Sequence, residues 1–186
     1  MNRVFAKIGL ILILLQVHIT TSSAIREKRG VIRSDQILTF FNEMRRAAAE
    51  KLKVADMWKL EWDEQLVKKA RTVPVACQKP ARYSYRLYYY NGLETETVAE
   101  LDKLIDEHTL VYLKKHKRDD LDHLEMIVPG QTRVGCVPHY DPCMRDATGG
   151  AICVLGGYGD SFPDPKVGAP GSACGEGINE DGLCVI

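Results

Sequence analysis

The first strong periodic pattern of the chain is helical and covers residues 34–51. Apolar residues recur at intervals of three and four, which places them on one face of a helix. Either Ser34 or Asp35 can cap its N-terminus, and Arg45, Glu50 and Lys51 are assigned to the opposite, polar face. The sequence therefore predicts an amphipathic helix. Its apolar positions are Ile37, Phe40, Phe41, Met44 and Ala48.

A second helical segment begins near Asp63, a residue type that commonly caps helices. Leu66, Ala70 and Val73 fall on one side of this helix. Pro74 ends it, because proline cannot donate the next helical hydrogen bond.

A third segment, residues 95–114, has one long apolar stripe and is predicted to be a single continuous helix. His108 lies on that stripe and is therefore expected to be a hydrogen-bonded core histidine. The next segment, residues 114–123, is densely charged and is interpreted as a solvated helix end or loop. The stripe consists of Val98, Leu101, Leu104, Ile105, His108 and Tyr112.

Residues 82–90 alternate with the period of two that is typical of a strand, which the Asn91-Gly92 turn ends. Exposed tyrosines suit protein or lipid contacts because they bury much area at a small entropic cost. Ordinary sheet packing is the simpler interpretation of the same residues. One face carries Tyr83, Tyr85, Leu87 and Tyr89, and the other carries Ser84, Arg86 and Tyr88. The binding candidates are Tyr83, Tyr85, Tyr88 and Tyr89.

Two more strands are predicted at residues 133–137 and 151–155, separated by the turn signals Asp141-Pro142 and Gly149-Gly150. His139 falls between them and is assigned to a loop. From Gly156 the chain is rich in glycine and proline, with too little apolar content to pack alone.

The N-terminus has the features of a secretory signal peptide over residues 1–24. Arg3 and Lys7 supply a positive segment, residues 8–15 an apolar core, and Ala24 a small residue at the cleavage site. The apolar core is about half of the roughly 20 residues that a membrane span needs, so a retained anchor is the weaker alternative. No later segment is longer, and no transmembrane segment is predicted.

A basic run follows at residues 26–29, and cleavage after Arg29 would remove residues 25–29 as a propeptide. A solvated charged linker is the equal alternative. The chain has 25 basic and 25 acidic residues, so loss of Arg3 and Lys7 leaves a net charge of −2. Removal of residues 25–29 as well leaves 20 basic and 24 acidic residues. A mildly acidic protein is a poor candidate for nucleic-acid binding, which relies on a basic face.

All six cysteines lie after the signal segment, in an oxidising compartment, so three disulfides are expected. About 160 residues remain in the mature chain, which suits one domain. The cysteines are Cys77, Cys136, Cys143, Cys153, Cys174 and Cys184.

Several short motifs occur in a recognisable order along the chain. They are Phe-Asn-Glu-Met-Arg at residues 41–45, Thr-Arg-Val-Gly-Cys at 132–136, the apolar and glycine-rich segment 152–160, and the cysteine-bearing segments 171–174 and 181–184. In this order they resemble the CAP superfamily, which includes cysteine-rich secretory proteins, venom allergens and plant pathogenesis-related proteins. The first resembles the family's H-N-x-x-R opening, with Phe41 in place of the histidine, the second its T-x-I-G-C strand, the third its last strand, and the last two the tail of nematode members.

The resemblance implies an α+β fold, a three-layer α-β-α sandwich over residues 30–160, with a short cysteine-rich C-terminal tail at 161–186. It also implies disulfides between Cys136 and Cys153 and between Cys174 and Cys184. Cys77 and Cys143 are left as a third pair, although many relatives pair the helix cysteine with one beside a G-H-Y-T-Q motif that this chain lacks.

Complete CAP proteins hold a divalent metal with two histidines and two acidic residues, and this chain departs from that set. Tyr83-Ser84 replaces the family's H-S, the G-E-N motif is absent, and Asp122 aligns with the second histidine. His123 is one position away. A shifted loop could bring it together with other residues into a rearranged metal site, but this spacing matches no established ligand pattern. Those residues are His116, Asp119, Asp120 and Glu125.

The serines have no recognisable histidine and acid partners, and oxidised cysteines present no thiolate. The sequence therefore predicts a secreted, extracellular, non-enzymatic protein without a cofactor or metal, which binds a lipid or protein partner. The binding candidates are the four tyrosines named above and His123. Two alternatives stay open: a metal-binding CAP protein with a rearranged cleft site, and the precursor of a processed signalling or toxin-like peptide.

Overall fold

A computed structural model of the protein describes most of the chain after residue 32. The signal and processing segments with Ala24 and Arg29, together with Cys77, Tyr83 and Cys143, lie outside the described residues. Those described are 33–73, 85–90, 98–117, 121–139, 150–157 and 162–186.

Helix α1 (Ser34–Leu52) confirms the first predicted helix. Arg33 occupies the cap position and makes no side-chain cap hydrogen bond, so the expected capping by Ser34 or Asp35 is wrong. Asp35 instead binds the guanidinium group of Arg33, with Nη2 and Oδ2 2.8 Å apart. Lys53 adopts a left-handed conformation, φ 54°, and its N–H donates to the Ala49 carbonyl, which ends the helix.

The central sheet has four strands: β1 (Glu61–Trp62), β2 (Arg86–Tyr90), β3 (Arg133–His139) and β4 (Gly150–Gly156). Their order is β1-β3-β4-β2, with β1 parallel to β3 and the other two pairs antiparallel. His139 is the last residue of β3, so its assignment to a loop is corrected. The predicted strands around residues 133–137 and 151–155 are confirmed.

Helices cover both faces of this sheet. On one face α1 packs with Tyr88, Tyr90 and the inward side chains of β3 and β4 in the main core. On the other face lies α2 (Glu64–Ala70), whose Ala70 packs with Ile152 and Val154. The arrangement confirms the predicted α-β-α sandwich.

The predicted cap of the second helix is also confirmed. Asp63 Oδ1 accepts hydrogen bonds from the backbone N–H groups of Gln65 at 2.7 Å and Leu66 at 3.3 Å. Gly135 lets α2 approach β3 closely, because a Cβ atom there would lie 2.3 Å from the Val67 nitrogen.

The single long helix predicted for residues 95–114 is wrong. The described part contains two helices, α3 (Val98–Leu104) and α4 (Thr109–Lys115). Asp106 Oδ1 accepts from the His108 N–H at 2.9 Å, and Thr109 Oγ1 accepts from the Asp106 N–H at 2.9 Å. These local bonds replace helical ones. They also turn His108 out to solvent, so it is not a core histidine.

The tail forms a hairpin of β5 (Ile178–Glu180) and β6 (Leu183–Val185). Its two-residue turn, Asp181-Gly182, has positive φ at both positions, 49° and 83°, as a type I′ hairpin turn requires. Cys184 anchors the hairpin to the main body, because its N–H donates to the Met57 carbonyl at 2.7 Å and its carbonyl accepts from the Lys59 N–H at 2.9 Å. Leu183 is fully buried in the main core.

Among the helices of the described ranges, none has the length and apolar character to cross a membrane.

Candidate functional site

The polar residues of the H-N-x-x-R-like motif, Asn42 and Arg45, lie on α1 and bind backbone groups that are distant along the chain. The Asn42 side chain donates to the Leu60 carbonyl at 3.0 Å and accepts from the Leu60 N–H at 2.8 Å. It thereby fixes the segment that leads into β1. Asn42 is buried, so these bonds are shielded from water.

Arg45 is fully buried, and its expected position on the polar face of α1 is wrong. It lies four residues after Phe41, which places it on the same side of the helix. Its guanidinium group donates to five backbone carbonyls at 2.6–3.0 Å. Burial lowers its pKa to about 9, so it remains charged at neutral pH. The five acceptors are the carbonyls of Trp58, Met126, Val128, Pro129 and Gln131.

Phe41, at the position of the family's histidine, is fully buried and fills its place with apolar contacts. Its ring packs edge-on against Tyr88, with 5.4 Å between centroids, and against Tyr90 at 6.0 Å. This position therefore supports the core and offers no ligand atom.

A buried ion pair joins Arg86 of β2 to Glu125 of a short 3₁₀ helix (Asp122–Ile127). Arg86 Nη2 donates to Glu125 Oε1 at 2.7 Å, and Arg86 Nε donates to Oε2, so the pair is bidentate. Glu125 also accepts from the Leu121 N–H at 3.0 Å, and Arg86 donates to the Lys117 carbonyl at 2.9 Å. The Arg86 guanidinium carbon lies 5.2 Å from the centre of the Phe162 ring.

This ion pair was not predicted, although the sequence contained a signal for it. The strand alternation places Arg86 on the same face as Tyr88, and that face is the buried one. A charged residue on an inward strand face requires a buried partner, either an opposite charge or a set of hydrogen-bonding groups. Nothing in the sequence indicated that Glu125 is that partner.

The structure gives the histidines and acids of the rearranged metal site different surroundings. His123 is exposed, whereas Glu125 is buried and bound to Arg86. The His116 ring stacks on Tyr112, with centroids 4.3 Å apart. Asp119 and Asp120 lie outside the described residues. Within the described ranges no three histidine, cysteine or acidic residues are grouped to hold a metal ion.

The tyrosine candidates take two different positions. Tyr88 is buried in the main core and cannot reach an external partner. Tyr85 and Tyr89 are half-buried beside α2, and Lys69 Nζ lies 4.4 Å from the centre of the Tyr85 ring. The packing interpretation therefore fits these three, and Tyr83 lies outside the described residues.

Both disulfides implied by the resemblance are present. Cys136 and Cys153 are directly opposite each other on β3 and β4, and their bridge crosses the two strands. Cys174 and Cys184 close the tail. Cys143, like Cys77, is outside the described residues, so their pairing stays a prediction.

Comparison with known proteins supports the fold. The sequence matches no protein-family profile and no curated protein. Its structure is similar to that of a hookworm platelet inhibitor, with a TM-score of 0.54, 18% identity, and coverage of 84% of this chain and 93% of that one. TM-scores are lower for two other structures. Na-ASP-1 has a TM-score of 0.47 and 20% identity, with coverage of 83% of this chain and 46% of that one. Venom allergen-like protein 4 of Schistosoma mansoni scores 0.42, with 15% identity and coverage of 77% and 100%.

The hookworm platelet inhibitor is a CAP protein. The chain thus has the CAP fold, which confirms the resemblance drawn from its motifs. An identity of 18% extends this conclusion to the fold and not to an activity.

Proposed function

We propose that this chain is a secreted, non-enzymatic CAP-fold protein that acts by binding an extracellular lipid or protein. The observation that carries the proposal is the Arg86–Glu125 pair. Glu125 is an acid in the segment that aligns with the family's histidine motif, and both of its carboxylate oxygens are bound to a guanidinium group. A carboxylate held in this way is not available to a divalent cation.

The remaining motif residues support the same proposal. Arg45 and Asn42 donate their side-chain hydrogens to backbone carbonyls, and Phe41 packs in the core. The four cysteines of the described part are disulfide-bonded, so none of them presents a nucleophilic thiolate. The two disulfides, one in the tail and one across strands β3 and β4, suit a protein that works in an oxidising compartment.

Zinc titration of the purified secreted protein, followed by calorimetry, tests the non-metal part of the proposal. We expect no stoichiometric binding, and the same result for His123→Ala. Tight one-to-one binding that His123→Ala abolishes would establish the rival metal-dependent protein. An Arg86→Met variant provides a further comparison, because it frees Glu125: a gain of zinc binding there would show that the ion pair blocks the carboxylate.

Retention of lipids and proteins from extracellular fluid tests the binding part. The native protein should retain a ligand that the reduced, unfolded chain does not. If the two retain the same material, the chain has no specific partner in that fluid and a structural role replaces the proposal.

A further inference from the structure

Exposed apolar side chains are concentrated on helices α3 and α4. The described residues include seven large apolar side chains that are exposed, and four of them lie between residues 98 and 112. The remaining three belong to the tail. The four are Val98 at 39% exposure, Leu104 at 57%, Val111 at 65% and Tyr112 at 43%.

Helix α4 presents two of these apolar residues beside two lysines. Lys114 and Lys115 follow Val111 by three and four positions, and Lys115 follows Tyr112 by three, so all four share the outward side of one helix. All four side chains are exposed. We call this surface the α4 face (Val111, Tyr112, Lys114 and Lys115).

The opposite side of α4 holds the helix firmly in place. Leu113 is buried in a small core with Leu121, Val128 and Phe162. Lys117, just beyond the helix, is 2.9 Å from the Asp164 carboxylate. The Tyr112 ring is stacked on His116, so its orientation is set before any partner arrives. The α4 face is therefore a preformed surface.

We propose that the α4 face docks on the surface of a membrane that contains anionic phospholipids. Apolar and aromatic side chains bordered by lysines are typical of helices that lie in the membrane interface, where the apolar groups enter the acyl boundary and the lysines meet phosphate groups. This inference rests on the proposed extracellular binding function and names its partner.

Size and composition favour a lipid surface over a protein partner. A stable protein interface needs roughly 800 Å² on each side, and lysine is depleted in such interfaces. The α4 face occupies one seven-residue helix and is half lysine. Glu107 and His108 border it, with Glu107 Oε1 3.6 Å from His108 Nε2. The Asp164 carboxylate, which is bound to Lys117, also attracts Lys114. With two lysines and these nearby acids, binding is expected to be weak and reversible.

Sedimentation of the purified secreted protein with vesicles tests the proposal. Vesicles of phosphatidylcholine with phosphatidylserine should bind the protein at low salt, and vesicles of phosphatidylcholine alone at least about tenfold less. Loss of a lysine near an anionic surface weakens binding about fivefold. The variant Lys114→Glu/Lys115→Glu should therefore lose about 25-fold or more. Val111→Ser/Tyr112→Ser should lose about tenfold, since it removes only the inserted groups.

The matched control is Lys68→Glu/Arg71→Glu, which reverses two exposed cations at the C-terminal end of α2 and changes the net charge by the same amount. It should bind like the native protein. Equal loss in the control, or no binding by the native protein, overturns the proposal. Loss only in the lysine variant would indicate a simple polyanion contact and also overturns it. None of these outcomes involves zinc or retention from extracellular fluid, so the calorimetry and the retention experiment still decide the proposed function separately.

Discussion

The carboxylate of Glu125 meets the guanidinium group of Arg86 inside the protein, where two parallel hydrogen bonds connect the 3₁₀ helix to strand β2. Both side chains are buried. A charge left alone in such a place is much more costly than the pair, because the burial that strengthens the pair also removes water from the unpaired group.

Removing one partner of this pair should therefore destabilise the fold strongly. Arg86→Met and Glu125→Leu are each expected to lower the free energy of unfolding by about 3–5 kcal/mol. The double variant should recover a large part of that loss, because no charge remains buried. Urea denaturation monitored by circular dichroism measures all three.

Arg33→Ala is the control for the buried pair, since it breaks an exposed ion pair with Asp35 and should not move the denaturation midpoint. If the double variant of Arg86 and Glu125 is as unstable as the sum of the two single variants, the pair is not the reason for their effects.

Arg45 is expected to be essential for stability, because it binds the backbone of several loops at once. Arg45→Ala leaves several buried carbonyls without a donor and should lower the free energy of unfolding by at least about 3 kcal/mol. Arg45→Lys keeps a charge but has only three donors on one atom, so it should be intermediate. Because burial lowers the folded-state pKa of Arg45 to about 9, the buried charge is a cost of folding below pH 9, and the five hydrogen bonds to carbonyls offset part of it.

Thermal denaturation near pH 7 compares these two variants with Arg46→Lys on the same helix. Arg46 is half-buried and donates to the Asp181 carbonyl through a solvent-exposed hydrogen bond, so its replacement should have little effect. If Arg45→Lys and Arg46→Lys lower the melting temperature equally, the carbonyl contacts of Arg45 are not important for stability.

Gly135→Ala should prevent normal packing of α2 on the sheet. The added Cβ would lie 2.3 Å from the Val67 nitrogen and 2.6 Å from the Leu66 carbonyl carbon, and backbone atoms cannot move aside as a flexible side chain can. We expect loss of soluble folded protein or destabilisation by more than about 3 kcal/mol.

Gly175→Ala is the matched comparison for this substitution. A Cβ at that position meets nothing within 4 Å, and only its φ of 65° disfavours alanine. The expected cost is about 1 kcal/mol. Similar yields and melting temperatures for the two variants would show that the close approach of α2 is not important.

Asp56 should make the stability depend on pH in an unusual direction. Partial burial raises the pKa of Asp56 above 3.8, whereas its Oδ1 accepts from the Lys166 N–H at 2.9 Å. Since the folded state binds this proton more tightly, stability falls as pH rises through the raised pKa. Asp56→Asn keeps an acceptor without the charge. It should therefore be more stable than the native protein at pH 7 and equally stable near pH 3.

Asp164→Asn should behave in the opposite way. A hydrogen bond from Lys117 lowers the pKa of Asp164, so its carboxylate stabilises the fold above its unfolded pKa and this contribution is lost as pH falls. The variant should thus be slightly less stable at pH 7. Urea denaturation of the native protein and both variants at pH values from 3 to 7 measures how each substitution changes the free energy of unfolding. A change in the same direction for both variants at pH 7 would refute the explanation.

The sequence was sufficient to predict the elements whose patterns are local. The period of α1, the Asp63 cap of α2 and the alternation of Arg86 and Tyr88 each depend on a few neighbouring residues, and each predicted element was found. The two described disulfides followed from a family resemblance that the fold confirmed. Two failures have different reasons. Arg45 was placed by its polarity, although its spacing from Phe41 puts it on the buried side of α1. His108 was placed by a helical period that the turn at Asp106 interrupts, so its side chain is exposed.

The sequence by itself determined the helical and strand periods, the CAP-like motifs and the departures from the family's metal ligands. The tertiary structure alone decided where the charged groups belong, because Arg45 and Glu125 find partners that are distant along the chain. Arg45 reaches carbonyls up to 86 residues away, and Glu125 pairs with an arginine 39 residues earlier. Burial of a charge depends on whether such distant partners converge, and no local pattern specifies that convergence.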